Sequence, residues 1–168
     1  MPEIRTARLR HPDGSLTVAA TDRGVVRIAF DCEDPVVVAA ELAALGDVRE
    51  DQEALAPVLA WLDGALAGAP PGPTPACDLR LAATPFAHDV LAAIAAVPPG
   101  ATVTYAGLAD AVGRPSAIRA AASACARNPV PLLIGCHRIV RSDGSLGRYR
   151  GGADLKRTLL AREAAAAA

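Results

Sequence analysis

The chain has 168 residues and a mass of 17.1 kDa, with 52% hydrophobic and 21% charged residues and a formal net charge of -1. That fits one or two small domains with a real core and excludes a disordered or fibrous chain. No run of eighteen apolar residues occurs, and Met1 to Arg10 intersperses charges among apolar side chains; the expectation is a cytoplasmic protein without a membrane span or secretion signal.

The first thirty residues read as three strands, Ile4 to Leu9, Leu16 to Thr21 and Val25 to Phe30, divided by His11-Pro12-Asp13-Gly14 and Asp22-Arg23-Gly24. Glycine turns between apolar, partly β-branched runs predict a meander. Pro35 opens a helical segment to about Leu45, and Gln52 to Leu66 continues with Leu55, Leu59, Leu62 and Leu66 at helical spacing, so two helices should cover a small sheet. Gly68-Ala69-Pro70-Pro71-Gly72-Pro73-Thr74-Pro75 sustains neither regular structure. The domain boundary is placed there, giving residues 1–75 and 76–168.

Beyond the linker, Thr84-Pro85 is an N-cap followed by proline at the first helical position, and Phe86, Val90, Leu91, Ile94 and Val97 make one apolar face. Pro98-Pro99-Gly100 ends that helix. Tyr105 to Val112 reads as a short helix, Gly113-Arg114-Pro115 as a turn, and Ser116 as the cap of a second helix running to about Arg127. This is a helix-turn-helix pattern, weak by itself because many domains without nucleic acid contain one. Its second helix consists of small residues apart from Ile118 and Arg119. Small side chains allow a close approach to another surface, although an Ala-rich helix in an Ala-rich protein needs no such purpose.

Net charge hides an asymmetry. Residues 1–83 hold seven arginines and thirteen acids, a net of -6, whereas residues 84–168 hold ten Lys/Arg and five acids, a net of +5. The second half is the one suited to a polyanion, unless the split only solvates two surfaces. Five aromatics, Phe30, Trp61, Phe86, Tyr105 and Tyr149, are too few for a base-stacking platform. Cys32, Cys77, Cys125 and Cys136 are far apart with no CxxC pair, which argues against a disulfide framework or zinc knot.

The strongest local signal is Ile134-Gly135-Cys136-His137-Arg138-Ile139-Val140, with a thiol, an imidazole and a guanidinium consecutive in an apolar frame. A thiolate is the nucleophilic form, and a neighbouring base or cation lowers the thiol from about 8.5 by one to several units. In a strand His137 would point away from Cys136, so a general-base role requires a turning backbone, which Gly135 permits. An inert buried thiol is an equal reading at this point.

Residues 84–163 closely resemble the O6-alkylguanine-DNA alkyltransferase family. The resemblance rests on Thr84-Pro85-Phe86, Val97-Pro98-Pro99-Gly100, Thr104-Tyr105, Gly113-Arg114-Pro115, Arg119-Ala120, Asn128-Pro129-Val130-Pro131, Cys136-His137-Arg138, Ser142-Asp143-Gly144, Tyr149-Arg150-Gly151-Gly152, Lys156 and Glu163. It implies a two-domain α/β protein: a small N-terminal sheet with helices, then a mainly helical C-terminal domain bearing the helix-turn-helix and a short strand pair around the cysteine. It also implies DNA repair by irreversible, single-turnover transfer of an alkyl group to Cys136, with double-stranded DNA carrying O6-alkylguanine or O4-alkylthymine as partner.

The resemblance assigns roles residue by residue. His137 takes the thiol proton through a water, Glu163 orients that imidazole, and Asn128 ties the recognition helix to the cysteine segment. The target base is flipped out of the stack, with Arg119 filling the gap and Tyr105 against the 3' phosphate. Ala120, Ala121 and Ala124 would enter the minor groove, which at about 6 Å admits no bulky helix face. The alkylguanine pocket would use Tyr149, the Arg150 backbone N–H near O6, the carbonyls of Cys136 and Ile139 facing the exocyclic amine, and Pro131 on the alkyl side. Arg138 and Lys156 are carried over as structural or phosphate-proximal charges.

One departure stands out: where the family places proline before the reactive cysteine, this chain has Gly135. A freer backbone there, worth roughly 0.5–1 kcal/mol, predicts a less fixed thiol and a slower or altered alkyl preference. Arg150 stands where many relatives carry a small residue and is expected to add a phosphate or pocket-rim contact. Alternatives are a non-transferring sensor of the alkyltransferase-like kind, which lacks the cysteine, a cysteine hydrolase, and a transcription regulator. No cofactor or metal is expected, since only His11 and Cys32 precede the linker as soft ligands. Cys125 is expected to be packing, and the protein a monomer.

Overall fold

A computed structural model describes residues 1–68 and 72–168, so part of the predicted linker lies outside the described residues. Strands β1 (Glu3–Leu9), β2 (Leu16–Thr21) and β3 (Gly24–Phe30) form the expected antiparallel meander, and β4 (Asp47–Glu50) adds to β1 in parallel, giving the order β3-β2-β1-β4. Alternation divides the sheet: Leu16 and Val18 face one side, Ala19 and Val26 the other.

Helix α1 (Pro35–Leu45) covers the second face through Val38 and Leu42, its start fixed by Asp34, whose side chain accepts from the Val36 N–H. Helix α2 (Ala56–Leu66) lies on the first face. It begins later than the leucine spacing suggested, because residues 52–55 form turns and Leu55 is the N-cap. Beyond the linker the chain touches the sheet once more: Cys77 bridges to Val25 in parallel, and the Asp78 N–H donates to the Val25 carbonyl at 2.8 Å.

Helix α3 (Pro85–Ala95) starts as predicted, with Thr84 Oγ1 accepting from Ala87 N at 3.1 Å. Then come β5 (Val103–Thr104), α4 (Tyr105–Ala111), α5 (Ile118–Ala126), a single 3-10 turn at Cys136–Arg138, β6 (Ile139–Val140) and α6 (Ala153–Ala167). The short strands β5 and β6 pair in parallel beside the cysteine turn. Ser116 does not cap α5: the N-cap is Ala117, with no side-chain hydrogen bond, because the turn carries one residue more than expected.

One continuous core joins the two halves, running from Leu16, Val18 and Ile28 in the sheet through Leu62 and Leu66 to Val90, Leu91, Ile94, Leu108, Ile139 and Leu159. This packing places the cysteine turn against both halves. No helix among the described residues is long and apolar enough to cross a membrane.

Candidate active site

The segment that delivers the cysteine is held by one buried amide. Asn128, 2% exposed, donates from Nδ2 to the Ile134 carbonyl at 2.8 Å and accepts through Oδ1 from Val130 N at 3.1 Å. These bonds clamp a loop in which Leu132 lies at φ 74, a left-handed conformation costing about 1–2 kcal/mol for a residue with a Cβ. The constrained chain enters the Cys136–Arg138 turn, so the cysteine is on the irregular backbone that a relay with its neighbour requires.

The turn sends consecutive side chains in different directions. Cys136, only 8% exposed, is at the floor of an open cleft of about 580 Å³ lined by Tyr105, Arg119, Asn128, Pro131, Tyr149 and Arg150, among others. Seven of the predicted site residues are therefore brought together there. Burial pushes the Cys136 thiol up, opposed by a hydrogen bond from Asn128 and by the charges of Lys156 and Arg150. Lys156 contributes more directly than its motif suggested. It is fully buried, donates to the Ile139 carbonyl at 2.6 Å, and faces both Cys125 and Cys136.

His137 turns inward. Its Nε2 lies 2.7 Å from Glu163 Oε1, and its Nδ1 is buried without a partner among the described residues. Burial alone would raise the Glu163 carboxyl, but hydrogen bonds from His137 and Arg138 and the charge beside it hold it down at about 2. Glu163 is then an acceptor only, so Nε2 carries a hydrogen toward it and Nδ1 is the ring nitrogen left to exchange a proton. Tyr149 is half-buried, with its hydroxyl buried and unpartnered among the described residues. Its ring centroid is 6.3 Å from that of His137, and it is within charge range of Cys136 and Glu163. His137 and Glu163 border a separate cavity of about 210 Å³ on the side of Trp61 and Pro99.

Several expectations are corrected. Arg138 is no surface cation toward DNA: its side chain is 12% exposed, Nε and Nη2 donate to Glu163 at 3.0 and 2.8 Å, and Nη1 donates to the Val97 carbonyl at 2.8 Å. The guanidinium fills the space left by Gly135, where a Cβ would meet Nη1 at 2.6 Å. On α5, Ala121 and Ala124 are buried and pack inward, while Arg119, Ala122 and Ala126 line the cleft and Ala120 is exposed outside its lining.

Ile139 is fully buried and off the cleft, its carbonyl holding Lys156; the Cys136 carbonyl accepts from the Ile139 N–H. Each of the two carbonyls assigned to an exocyclic amine thus holds a hydrogen bond inside the protein, and a carbonyl oxygen has two lone pairs. Arg150 lines the cleft as expected, and its side chain is also tied down. Its Nη2 donates to the Ala126 carbonyl at 3.1 Å, its Nη1 is 3.9 Å from Glu33, and its own carbonyl accepts from Cys32 Sγ at 3.1 Å.

Cys125 also borders the cleft. Burial raises its thiol, and the neighbouring Cys136 raises it further, so it carries less thiolate than an exposed cysteine would.

The family model described as "6-O-methylguanine DNA methyltransferase, DNA binding domain" matches residues 85–165. The chain is 35% identical over 174 residues to the methylated-DNA–protein-cysteine methyltransferase of Mus musculus, covering 96% of this chain and 82% of that one. It is 36% identical over 152 residues to the "Bifunctional transcriptional activator/DNA repair enzyme Ada" of Escherichia coli (strain K12), covering 90% of this chain but only 43% of that protein. Among solved structures, Mycobacterium tuberculosis OGT in complex with DNA superposes with a TM-score of 0.82 at 28% identity, covering 98% of this chain and 94% of that one.

Proposed function

The chain belongs to the methylated-DNA–protein-cysteine methyltransferase family, and on that footing we propose that it repairs DNA by taking the alkyl group of an extruded O6-alkylguanine onto Cys136. The observation that carries the reading is a thiol at the floor of a cleft with an unpartnered imidazole nitrogen on the next residue and a carboxylate behind it. The cleft's volume, about 580 Å³, falls within the roughly 300–1,000 Å³ that small ligands occupy.

The chemistry balances as a displacement at carbon. His137 Nδ1 takes the thiol proton through a water, and Glu163 stabilises the resulting cation. The Cys136 sulfur forms its bond to the alkyl carbon while the bond from that carbon to O6 breaks, and the electron pair stays on the purine. A proton then reaches the departing base, which leaves as guanine. The product thioether has no acyl carbon for water to attack, so each molecule acts once. Asn128 holds the nucleophile's segment, Tyr149 and Pro131 enclose the base, Arg119 occupies the emptied stack, and Tyr105 contacts the backbone. Residues 1–75 act as a scaffold and residues 76–168 carry the chemistry and the DNA contacts. A cytoplasmic location fits the four free cysteines, which a reducing compartment keeps as thiols.

The test is incubation with an O6-methylguanine duplex, then intact mass and peptide mapping. One added methylene on the Cys136 peptide, in one equivalent and absent from a Cys136→Ala variant, is the expected result. Retained binding with no added mass would make the protein a sensor, and repeated turnover on an ester would make it a hydrolase.

A further inference from the structure

Two arginines at or beside the cleft have a partner. Arg138 is bound to Glu163, and Arg150 to the Ala126 carbonyl and Glu33. Three that line the cleft do not: the exposed side chains of Arg119, Arg141 and Arg148 make no hydrogen bond or ion pair with the described residues. The nearest acid on the loop of Arg141 and Arg148, Asp143, feels the charge of Arg141, but its Oδ1 accepts from Ser145 N at 2.9 Å.

Arg141 and Arg148 stand on the loop between β6 and α6, and Arg119, on α5, is the third cation lining the cleft. Gly147, at φ 74, brings the loop against Tyr105. A Cβ at that position would be 3.1 Å from the Tyr105 hydroxyl and 3.7 Å from Cγ of Arg141, so hydroxyl and arginine stem converge on one point of the rim.

The uncommitted guanidiniums of Arg141 and Arg148 at the rim of the cleft are free to take an anion there. Their geometry suits phosphate oxygens, which accept parallel N–H bonds from one guanidinium. A duplex with one base extruded presents two phosphodiesters at that mouth, one on each side of the nucleotide.

Resting on the repair reading above, we propose that Arg141 and Arg148 hold the phosphodiesters flanking the extruded nucleotide, Arg141 sharing its phosphate with the Tyr105 hydroxyl. Contacts of this kind carry no sequence information, and they fix register and strengthen binding to any duplex.

Binding of the full chain to an O6-methylguanine duplex and to its undamaged counterpart is measured over a range of salt. Arg141→Ala and Arg148→Ala should each reduce the slope of log affinity against log salt by about 0.9, equally for both duplexes, and the pair by about twice that. Arg141→Lys and Arg148→Lys should keep the slope. Replacing the two flanking phosphodiesters, one at a time, by neutral methylphosphonates should abolish the effect of each alanine variant at one of the two positions.

An unmoved slope, or a loss that persists on both methylphosphonate duplexes, overturns the proposal while wild-type alkyl transfer keeps the repair reading standing. A wild-type protein that neither binds the lesion duplex nor takes its methyl group overturns that reading, and this proposal with it.

Discussion

Each half of the molecule buries one arginine against carboxylates, and the two clusters differ in one respect. In the sheet, Arg27 is 4% exposed, donates to Glu33 and Glu41, and binds the Ile28 carbonyl. In the other half, Arg138 binds Glu163 twice and the Val97 carbonyl once. The first cluster sets two carboxylates and the Ile28 carbonyl around Arg27, with Arg150 at 3.9 Å from Glu33, and it holds no imidazole. The second has one carboxylate shared between the guanidinium and an imidazole whose other nitrogen has no partner among the described residues. The same ion-pair chemistry is a fastener in one place and a proton relay in the other. The difference is the imidazole in the second cluster.

The contrast breaks most visibly if each cluster loses its distinctive member. His137→Phe should slow single-turnover transfer to Cys136 by about 10²–10⁴-fold, because the base is gone. It should alter unfolding by urea only modestly, since Arg138 still neutralises Glu163. Arg27→Met should do the reverse. Leaving Glu33 and Glu41 beside an apolar side chain should cost about 3–5 kcal/mol in urea unfolding, while folded protein keeps transfer within a few-fold of wild type. Equal loss of rate in both variants would erase the distinction.

Acid sharpens it. The Glu163 carboxyl is held at about 2 against an ordinary value of 4.5. Between those values the unfolded chain binds a proton that the folded chain does not. The stabilisation is therefore complete above the ordinary value and is lost as pH falls toward 2, amounting to about 3 kcal/mol. Unfolding curves from pH 7 down to pH 3 should show about 2 kcal/mol of this loss in the wild type. Glu163→Gln should lack that limb and be less stable at neutral pH, because buried Arg138 loses its counter-charge.

Helix α5 repeats the closed-against-open contrast on a smaller scale. Ala121 is fully buried and Ala122 borders the cleft. Ala121→Leu should overpack the core by about 1–3 kcal/mol. Ala122→Leu should leave stability within about 0.5 kcal/mol of wild type, yet weaken lesion-duplex binding roughly tenfold, about 1.4 kcal/mol. Unfolding and binding measured on both variants test this.

How far the sequence foretold these features depended on whether a residue's type reveals its direction. Strands β1 to β3 and helix α3 were legible because Val, Ile, Leu and their turns set a clear phase. Strand β4 was not: Asp47, Arg49 and Glu50 are three charges in four exposed positions, and its partner β1 is over forty residues away. Helix α6 was missed because two of its inward residues, Lys156 and Glu163, break the apolar period. Along α5, alanine carries too little hydropathy contrast to fix which face is buried, so Ala121 and Ala124 were assigned to the wrong side. The reactive triplet was legible from Cys136-His137-Arg138, but arginine as a residue type gives no hint that Arg138 turns inward. The only signal for that was Gly135, whose missing side chain makes the room.

The smallest effect tests that room directly. Gly135 lies at φ -73, within the range of proline, so the backbone itself accepts the exchange. The obstacle is the neighbouring guanidinium, whose Nη1 and Cζ would lie 2.6 and 2.7 Å from a new Cβ. A flexible arginine tip would ordinarily swing aside at little cost, but this one is bound at Nε, Nη1 and Nη2 and can move only by loosening Glu163 or Val97. Gly135→Pro and Gly135→Ala should therefore slow transfer by a few-fold, through the relay and not through a wandering thiol. In an Arg138→Met background the same exchanges should have no effect, giving a coupling of about 0.5–1 kcal/mol in the double-mutant cycle. Timed transfer by the four proteins of each cycle measures it. Indistinguishable rates for Gly135→Pro and wild type would remove Gly135 from the explanation, and an undiminished effect in the Arg138→Met background would return the cause to the backbone beneath Cys136.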